Sequence, residues 1–364
     1  MIGNRLGWMI LVLCLVGCSR PIEPIEKPTR WTMAGPTMGT SFSITIADPG
    51  GRLSSEPDLQ AIAIKVKAVL KEINQKMSTY DSESEISKFN ASRSTERFSV
   101  SAELASVVAR AKEIFEASDG AFDITVSPLV NLWGFGTQGE RSDPPSDDQI
   151  QAVIASIGSQ HLEVTLDPPT LRKLKPELEI NLNAIAPGYA ADRLGQLLSE
   201  LGYKNSLVDV GGEFLAQGKN DDGGPWRVAI EKPRRSAAPK QSIERVLLIS
   251  DQAAATSGDY RQFFEHNGKF YSHTIDPKEG KPVTHSLASV TIIAPDAMSA
   301  DGWATAVMAL GPDRGMKLVE SLDRVEAILL IRKEDGTFEM KVSPGAEKFI
   351  DRSARKDVRQ QEGH

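Results

Sequence analysis

The sequence contains almost no cysteine. Of its 364 residues only Cys14 and Cys18 are cysteines, and both lie near the start. If the chain is cut before Cys18 and that residue carries lipid, the mature protein has neither a free thiol nor a disulfide. Such a chain suits an oxidising compartment.

The sequence also has no excess of positive charge. It carries 42 Lys and Arg residues against 49 Asp and Glu residues, which gives a formal net charge of −7. Without a basic surface, we expect no nucleic acid among its partners. An acidic protein can still bind a phosphate-bearing ligand, but we expect a bound cation rather than a basic field to hold it.

Two further signatures are missing. The segment DVGGE, Asp209–Glu213, is neither a Walker A loop nor a Rossmann fingerprint, so neither of these phosphate-binding loops would hold a dinucleotide. No internal repeat or low-complexity block occurs. The composition that remains, 40% hydrophobic and 25% charged, is ordinary for a globular protein that is long enough to bury a substantial core.

The first residues resemble an export signal. The apolar run WMILVLCLVG is too short to span a bilayer comfortably, and its end, LVGC, resembles the lipobox of bacterial lipoproteins. We therefore expect a signal peptide at 1–17, an acylated Cys18, and a proline-rich tether at 18–32. The alternatives are a plain secretory peptide and an uncleaved anchor. Lipid would hold the protein on the periplasmic side of a bacterial membrane, inner or outer.

Helical and strand-like patterns are mixed along the chain without strict alternation. Strand-like runs begin with Thr40–Ala47 and dominate from residue 206 onwards. The pattern predicts an α+β fold, a single mixed domain at 33–350 that allows two lobes, rather than a doubly wound Rossmann sheet. We expect a polar tail at 351–364.

Apolar residues at helical spacing predict four helices in the first two thirds of the chain. Ser146 and Gln149 form a capping box for one of them, and Gly158 is its expected end. The four segments are 58–78, 102–117, 147–158 and 187–201.

A fifth helix is typical of the segment SADGWATAVMALG, residues 299–311. Its Asp301 and Thr305 are four residues apart and would share one helical face, with Ser299 as N-cap. In a structural interpretation, Asp301 offsets the helix dipole and Thr305 bonds to its own helix. In a functional interpretation, the carboxylate and hydroxyl supply two oxygen ligands to a hard cation such as Mg²⁺. The segment alone does not decide between the two.

Two loops carry further candidates for chemistry. LNAIAPGYAADR, Leu182–Arg193, has small residues ahead of a helix, so its backbone could approach a ligand and its carbonyls a metal; the alternative is a tight turn that merely packs. SHTIDPKEGKPVTH contains His273 and His285, either of which could be a general base. The alternative is a surface hairpin with incidental histidines.

Aromatic residues offer a pocket for a planar ligand. Phe122 and Trp133 could wall such a pocket, although aromatic residues of this kind more often belong to the core. Tyr80 lies in a polar loop after a helix, where an exposed ring could stack on a planar ligand.

Taken together and in this order, eight blocks of the sequence resemble the ApbE family, the FAD:protein FMN transferases of the bacterial cell envelope. The resemblance extends from about Met33 to beyond Gly311. The blocks are TMGTSFSI, MSTYD with SEISKFN, GAFDITVSPLVNLWGFG, NAIAPGYAADR, VDVGGE, TSGDYRQFF, SHTIDPKEGKPV and ADGWATAVMALG.

The resemblance implies an activity and its participants. Mg²⁺-dependent cleavage of the FAD pyrophosphate would pass FMN to a Thr or Ser hydroxyl of an acceptor flavoprotein in the cell envelope, and AMP would leave. By the family pattern, Asp301, Thr305 and the Ala184 carbonyl resemble the metal ligands, and His273 the base. The expected FAD contacts are Met38, Tyr80, Ala121, Phe122, Asp123, Asn181, Pro187 and Ile275.

The chain departs from the family pattern at two of these positions. The family commonly has lysine where this chain has Pro187, and often an acid where it has Asn181. Both changes weaken the expected FAD contact there. Two alternatives therefore stand beside the transferase: a Mg²⁺-dependent FAD pyrophosphatase, in which water replaces the acceptor hydroxyl, and a non-catalytic, lipid-anchored flavin-binding protein.

Overall fold

A computed structural model describes residues 30–48, 50–53, 56–136, 139, 141, 143–233, 243–260, 263–266 and 269–353. The expected signal peptide, Cys18 and most of the tether lie outside these residues, as does the tail after residue 353. The first strand begins at Arg30, and the backbone N–H of Asp351 donates to the Val246 carbonyl at 2.8 Å. The folded domain therefore includes Arg30–Thr32, within the segment expected to be tether, and Asp351, the first residue of the expected tail.

Eight α-helices lie within the described residues. None of them is long and apolar enough to cross a membrane. They are α1 (Glu56–Met77), α2 (Glu85–Ala91), α3 (Ala102–Ala117), α4 (Ser127–Leu132), α5 (Asp147–Ile154), α6 (Ala186–Glu200), α7 (Ala297–Leu310) and α8 (Pro312–Ser321).

Eight of the strands form one sheet. Its order is β1 (Arg30–Thr37), β2 (Thr40–Ala47), β6 (Ser206–Val210), β7 (Glu213–Gln217), β10 (Gln252–Gly258), β15 (Leu287–Ala294), β16 (Glu326–Arg332) and β17 (Phe338–Val342). Every neighbouring pair in it is antiparallel, whereas a Rossmann sheet is mostly parallel. The α+β class predicted from the sequence is confirmed.

The other strands form small sheets around this one. Three of them pair in the order β3 (Phe98–Ser99), β5 (Pro169–Lys173) and β4 (Leu162–Leu166). The rest are antiparallel hairpins, formed by β8 (Trp226–Glu231) with β9 (Ile243–Ile249), β11 (Phe263–His266) with β12 (Lys269–Ser272), and β13 (Ile275–Asp276) with β14 (Lys281–Pro282).

The buried side chains form three clusters. The largest combines residues of the central sheet with the apolar faces of helices such as α1, α3, α6 and α7. A second contains the apolar side of the β8–β9 hairpin, where Trp226, Val228 and Ile230 alternate with more exposed residues. β15 is buried along its whole length, as expected for a central strand covered on both faces. A third, small cluster contains Trp133 and Ile275.

Two predicted helix limits are wrong. The helix with the Ser146–Gln149 capping box ends at Ile154, not at Gly158. The chain turns earlier, so that the N–H of Gly158 reaches the Thr125 hydroxyl at 2.7 Å. The last predicted helix begins at Ala297, and its N-cap is Asp296 rather than Ser299. The Asp296 carboxylate accepts the N–H of Ser299 at 2.8 Å, so Ser299 lies inside the helix.

Candidate functional site

Two helices, α6 and α7, pack closely enough for backbone and side chain to meet. Small residues allow the approach, above all Gly188 on α6. A methyl group on Gly188 would overlap the Ala297 carbonyl and lie 2.9 Å from the Cβ of Asp301. The N–H of Gly188 donates to Oδ2 of Asp301 at 3.1 Å. The first turn of α6 is therefore fixed against the carboxylate.

Asp301 is a buried acid in the second turn of α7, with 6% of its surface exposed. The effect of the helix dipole is strongest within the first turn, so offsetting it does not account for Asp301. Thr305 is half-buried and lies one turn further along the same face. The Asp301 carboxylate lies against the first turn of α6, and Thr305 is on the same face of α7.

The backbone before α6 can add a third oxygen. In a continuous helix the N–H of Gly188 would be donated to the carbonyl four residues earlier, that of Ala184. This N–H is donated to Asp301 instead, and none of the backbone hydrogen bonds among the described residues is accepted by the Ala184 carbonyl. The carbonyl remains available to a ligand or a metal.

These three oxygens fit a hard cation. Mg²⁺ prefers oxygen ligands and commonly takes only one or two carboxylates, with water and substrate phosphates completing its coordination. Within the described part of the chain no group of three or more His, Cys, Asp or Glu side chains that could hold a metal ion converges. A set of one carboxylate, one hydroxyl and one carbonyl is chemically suited to magnesium.

A second acid, Asp192 of α6, holds the start of α7. Asp192 accepts the N–H of Ala297 at 2.8 Å and the N–H of Met298 at 2.9 Å, one with each carboxylate oxygen. Burial raises the pKa of Asp192 to about 7, although these two hydrogen bonds act in the opposite direction. The nearby carboxylate of Asp296 raises this pKa further.

The loop before α6 is held by a buried lysine. Lys173 is 1% exposed, and its ammonium donates to the carbonyls of Leu178 at 2.8 Å and Ser92 at 2.9 Å. Burial lowers the pKa of Lys173. The side chain of Asn90 makes two bonds to the backbone of Ile180, at 2.8 and 2.9 Å. The loop that leads to Asn181 and Ala184 is thereby fixed from two sides.

The loop after α3 meets this segment. The N–H of Asn181 donates to the carbonyl of Ile124 at 2.7 Å, which brings Asn181 next to the predicted contact Asp123. The Asp123 side chain is buried and accepts hydrogen bonds from Thr125 and Ser159. It therefore shapes the loop.

Phe122 and Trp133 belong to the core rather than to a pocket wall. Phe122 is 1% exposed and lies in the largest cluster, and Trp133 is 4% exposed in the smallest. Because the Phe122 side chain is covered, a ligand could contact this residue only through its backbone. The neighbouring Ala121 is half-buried.

The two departures from the family pattern are structurally ordinary. Pro187 is the second residue of α6, a position whose N–H has no partner within the helix. The Asn181 side chain accepts the N–H of Asn183 at 2.8 Å, a bond that an aspartate could make equally well. Neither residue disturbs the link between Gly188 and Asp301.

The other predicted flavin contacts lie on separate elements. Tyr80 follows α1 and is 74% exposed. Met38 lies in the turn between β1 and β2 with a φ of +49°, and its side chain is partly buried against the largest core cluster. Ile275 is 5% exposed in β13. Hydrogen bonds connect Asp301 to the start of α6, and Asn181 to the loop of Asp123.

The two candidate bases differ in their surroundings. His273 is half-buried and lies between β12 and β13. His285 has its Nε2 2.9 Å from the Met308 carbonyl at the end of α7, and burial lowers its pKa. Its imidazole also packs against Gly311, where a methyl group would lie 2.6 Å from Cδ2. His285 therefore has a structural role, which leaves His273 as the candidate base.

A cavity of about 370 Å³ adjoins the loop after α3. Asp123, Gly120 and Pro277 line part of it, and an ion pair of 2.5 Å joins Asp119 to Lys278 beside it. The cavity thus lies between the loop of the predicted flavin contacts and the hairpin that follows His273.

Three residues that shape the site were not predicted from the sequence: Gly188, Asp192 and Lys173. Gly188 and Asp192 are four residues apart on one helix, next to the buried Ala191 and Leu194. An acid on such a buried face needs a hydrogen-bond partner, and this spacing could have identified both residues. Lys173 gave no such signal, because its three carbonyl partners come together only in the folded chain.

Known proteins are similar to this chain in sequence and in fold. The model of the ApbE family matches residues 38–329. A protein of Vibrio cholerae named FAD:protein FMN transferase is 38% identical over 334 residues, which cover 91% of this chain and 95% of the relative. A protein of the same name from Escherichia coli is 38% identical over 353 residues, covering 95% and 97%.

Solved structures agree. The flavin transferase ApbE from Vibrio cholerae superposes with a TM-score of 0.78 at 38% identity, covering 88% of this chain and 99% of that one. The apo form of Pseudomonas stutzeri flavinyl transferase ApbE gives 0.77 at 36% identity, with coverage of 88% and 96%. The chain belongs to the ApbE family.

Proposed function

We propose that this protein is an FAD:protein FMN transferase that uses Mg²⁺. The observation that carries the proposal is the hydrogen bond between Gly188 and Asp301, which holds the carboxylate against the first turn of α6. Relatives that cover most of the chain bear the name of this activity, which supports the assignment.

Asp301, Thr305 and the Ala184 carbonyl would hold the metal. Bound magnesium would neutralise negative charge on the pyrophosphate of FAD and so favour in-line displacement at phosphorus. The residues of the chain would contribute by orientation: α7 carries Asp301 and Thr305 on one face, and the bond from Gly188 holds the first turn of α6 against Asp301.

His273 would accept the proton of the acceptor hydroxyl. The oxygen of an acceptor Thr or Ser forms a bond to the phosphorus of the FMN half, and the bond from that phosphorus to the bridging oxygen breaks. AMP leaves with the bridging oxygen, FMN stays on the acceptor as a phosphoester, and the proton moves to the His273 imidazole. An alcohol is a weak nucleophile, so a base of this kind contributes about 10²–10⁴-fold.

The remaining predicted residues would contact FAD. The exposed ring of Tyr80 suits stacking on the isoalloxazine ring. Ala121, Phe122, Asp123 and Ile275 would contribute mainly backbone contacts, because the side chains of the last three are buried.

We further propose that the protein is a lipoprotein of the bacterial cell envelope. The lipobox-like LVGC ends at Cys18, and the first strand begins twelve positions later, at Arg30. A tether of this length would leave the folded domain close to the membrane, where an envelope flavoprotein could serve as acceptor.

In-gel flavin fluorescence tests the proposal. The full-length chain in mild detergent is incubated with FAD, MgCl₂ and a candidate acceptor flavoprotein, and the denatured acceptor is inspected for covalent fluorescence. Fluorescence that requires both Mg²⁺ and the acceptor Thr or Ser supports the transferase. Free FMN and AMP without a labelled acceptor would instead support the pyrophosphatase, and bound, unchanged FAD the flavin-binding protein.

A further inference from the structure

Asp192 and Gly188 both contact α7 from one face of α6. They are four residues apart, so they lie one above the other on that face. Gly188 contacts α7 at Ala297 and Asp301, and Asp192 accepts the first two N–H groups of the same helix. The contacts span only residues 297–301, the first and second turns of α7.

We propose that Asp192 is a positioning residue of the metal site, fixing α7 so that Asp301 and Thr305 face the Ala184 backbone. The inference rests on the proposed function, because it assumes that these residues bind a metal. Asp192 itself would not touch the metal or the substrate.

The hydrogen bonds at the start of α7 explain why the acid is suited to this role. The first N–H groups of a helix have no partner within the helix. Asp296 accepts the N–H of Ser299, and Asp192 accepts those of Ala297 and Met298. A carboxylate can accept both of the latter bonds, whereas an asparagine offers one oxygen and turns its NH₂ group towards the other N–H.

Because the helix is rigid, the hydrogen bonds of Asp192 also fix the position of Asp301. Residue 301 is three positions after Met298, so about 4.5 Å of helix separates the anchored N–H from the proposed ligand. A shift or rotation at the start of α7 would therefore move the Asp301 carboxylate almost as much. Residues that orient a metal ligand without touching the metal typically change metal affinity about 10–100-fold.

The electrostatic surroundings show that the acid costs stability at neutral pH. Burial favours the neutral form of Asp192 and so raises its pKa. Repulsion from the carboxylate of Asp296 raises this pKa further. An amide at this position would avoid the cost of a buried charge. The benefit that offsets this cost is that only a carboxylate supplies two acceptor oxygens to the N–H groups of Ala297 and Met298.

Manganese binding provides the test, with Mn²⁺ as a paramagnetic probe of the site. Full-length wild type, Asp192→Asn and Asp192→Ala are titrated with MnCl₂ in mild detergent, and free Mn²⁺ is measured by electron paramagnetic resonance. Binding is counted per folded molecule, from near-ultraviolet circular dichroism. Asp296→Asn is the matched control: it removes the same charge from the same helix end, but an asparagine keeps the single bond that Asp296 accepts.

We expect Asp192→Asn to bind Mn²⁺ about 10–100-fold more weakly and Asp192→Ala more weakly still, with Asp296→Asn within about twofold of wild type. Transfer activity of Asp192→Asn should be low at limiting Mg²⁺ and recover at saturating Mg²⁺, a rescue that mere instability would not show. Wild-type affinity in Asp192→Asn overturns this inference alone. Absence of stoichiometric Mn²⁺ binding by the wild type overturns the proposed metal site, and this inference with it.

Discussion

Gly188 and Asp301 are separated by 113 positions in the sequence, yet the N–H of the first donates to Oδ2 of the second at 3.1 Å. The hydrogen bond joins the start of α6 to the second turn of α7. It holds the only carboxylate of the proposed metal site against the first turn of α6, four positions after Ala184, whose carbonyl we assign to the same site.

Gly188→Ala should weaken this junction. The new methyl group would overlap the Ala297 carbonyl, so α6 and α7 must separate. We expect a loss of about 1–3 kcal/mol in the free energy of unfolding and weaker Mg²⁺-dependent transfer, measured by denaturant titration and by flavin fluorescence. In Gly224→Ala, where the nearest atoms would lie at 3.7 Å, the free energy should change by less than about 0.5 kcal/mol.

Asp301→Ala should abolish metal-dependent turnover and leave the fold intact. Loss of the carboxylate ligand removes several kcal/mol of transition-state stabilisation, so we expect kcat/KM to fall by about 100-fold or more. The control is Asp313→Asn, on the exposed first turn of α8. Full activity of Asp301→Ala at saturating Mg²⁺ would rule out the metal assignment.

His273→Ala should slow transfer mainly near neutral pH, by about 10²–10⁴-fold, because the acceptor hydroxyl loses its base. The measurement is the pH–rate profile with a fixed acceptor. His161→Ala, in the short turn before β4, serves as the control. A variant profile that matches the wild type would exclude His273 as the base.

Tyr80→Ala should raise the KM for FAD by about 3–10-fold, the expected loss for one aromatic stacking contact. Tyr80→Phe keeps the ring and should stay within about twofold of wild type. Because the side chain is 74% exposed, neither change should alter the melting temperature appreciably. Equal KM values for all three proteins would place the flavin elsewhere.

Asp192 should make stability fall as pH rises. Its pKa is raised from 3.8 to about 7 in the folded state, so between these values the folded protein binds more protons than the unfolded one. The contribution is lost progressively from about pH 4 to pH 7, by up to about 4 kcal/mol. Urea titrations at several pH values should show a shallower decline for Asp192→Asn than for wild type. If the free energy of unfolding changed with pH in the same way in both proteins, the raised pKa of Asp192 would be contradicted.

Local signals in the sequence were sufficient for many elements. The strand Thr40–Ala47 and the helix Ala102–Ala117 have the predicted limits, and the capping box of Ser146 and Gln149 is present. Each of these depends on neighbours within a few positions. The order of strands in the central sheet depends on pairings between distant segments, which spacing and periodicity do not specify.

In the site, too, features that depend on neighbouring residues could be predicted, and features that depend on distant residues could not. Asp301 and Thr305 could be paired from their spacing, because both lie on one helix. The predicted start of that helix, Ser299, is two positions late, although its N-cap Asp296 is adjacent in the sequence. The additional capping by Asp192, 105 positions before Ala297, could not be predicted from spacing. The family resemblance supplied the remaining candidates but not their orientation, such as the covered side chains of Phe122 and Ile275.

The ammonium of Lys173 has a consequence for how the loop before α6 becomes ordered. It occupies the centre of three carbonyls, much as a potassium ion would, and so shapes the loop before α6 with a cation that the chain itself provides. That loop is thus tied to the fold by a side chain of the protein itself. If the proposed site takes up Mg²⁺, the ion would meet a loop that Lys173 already orders.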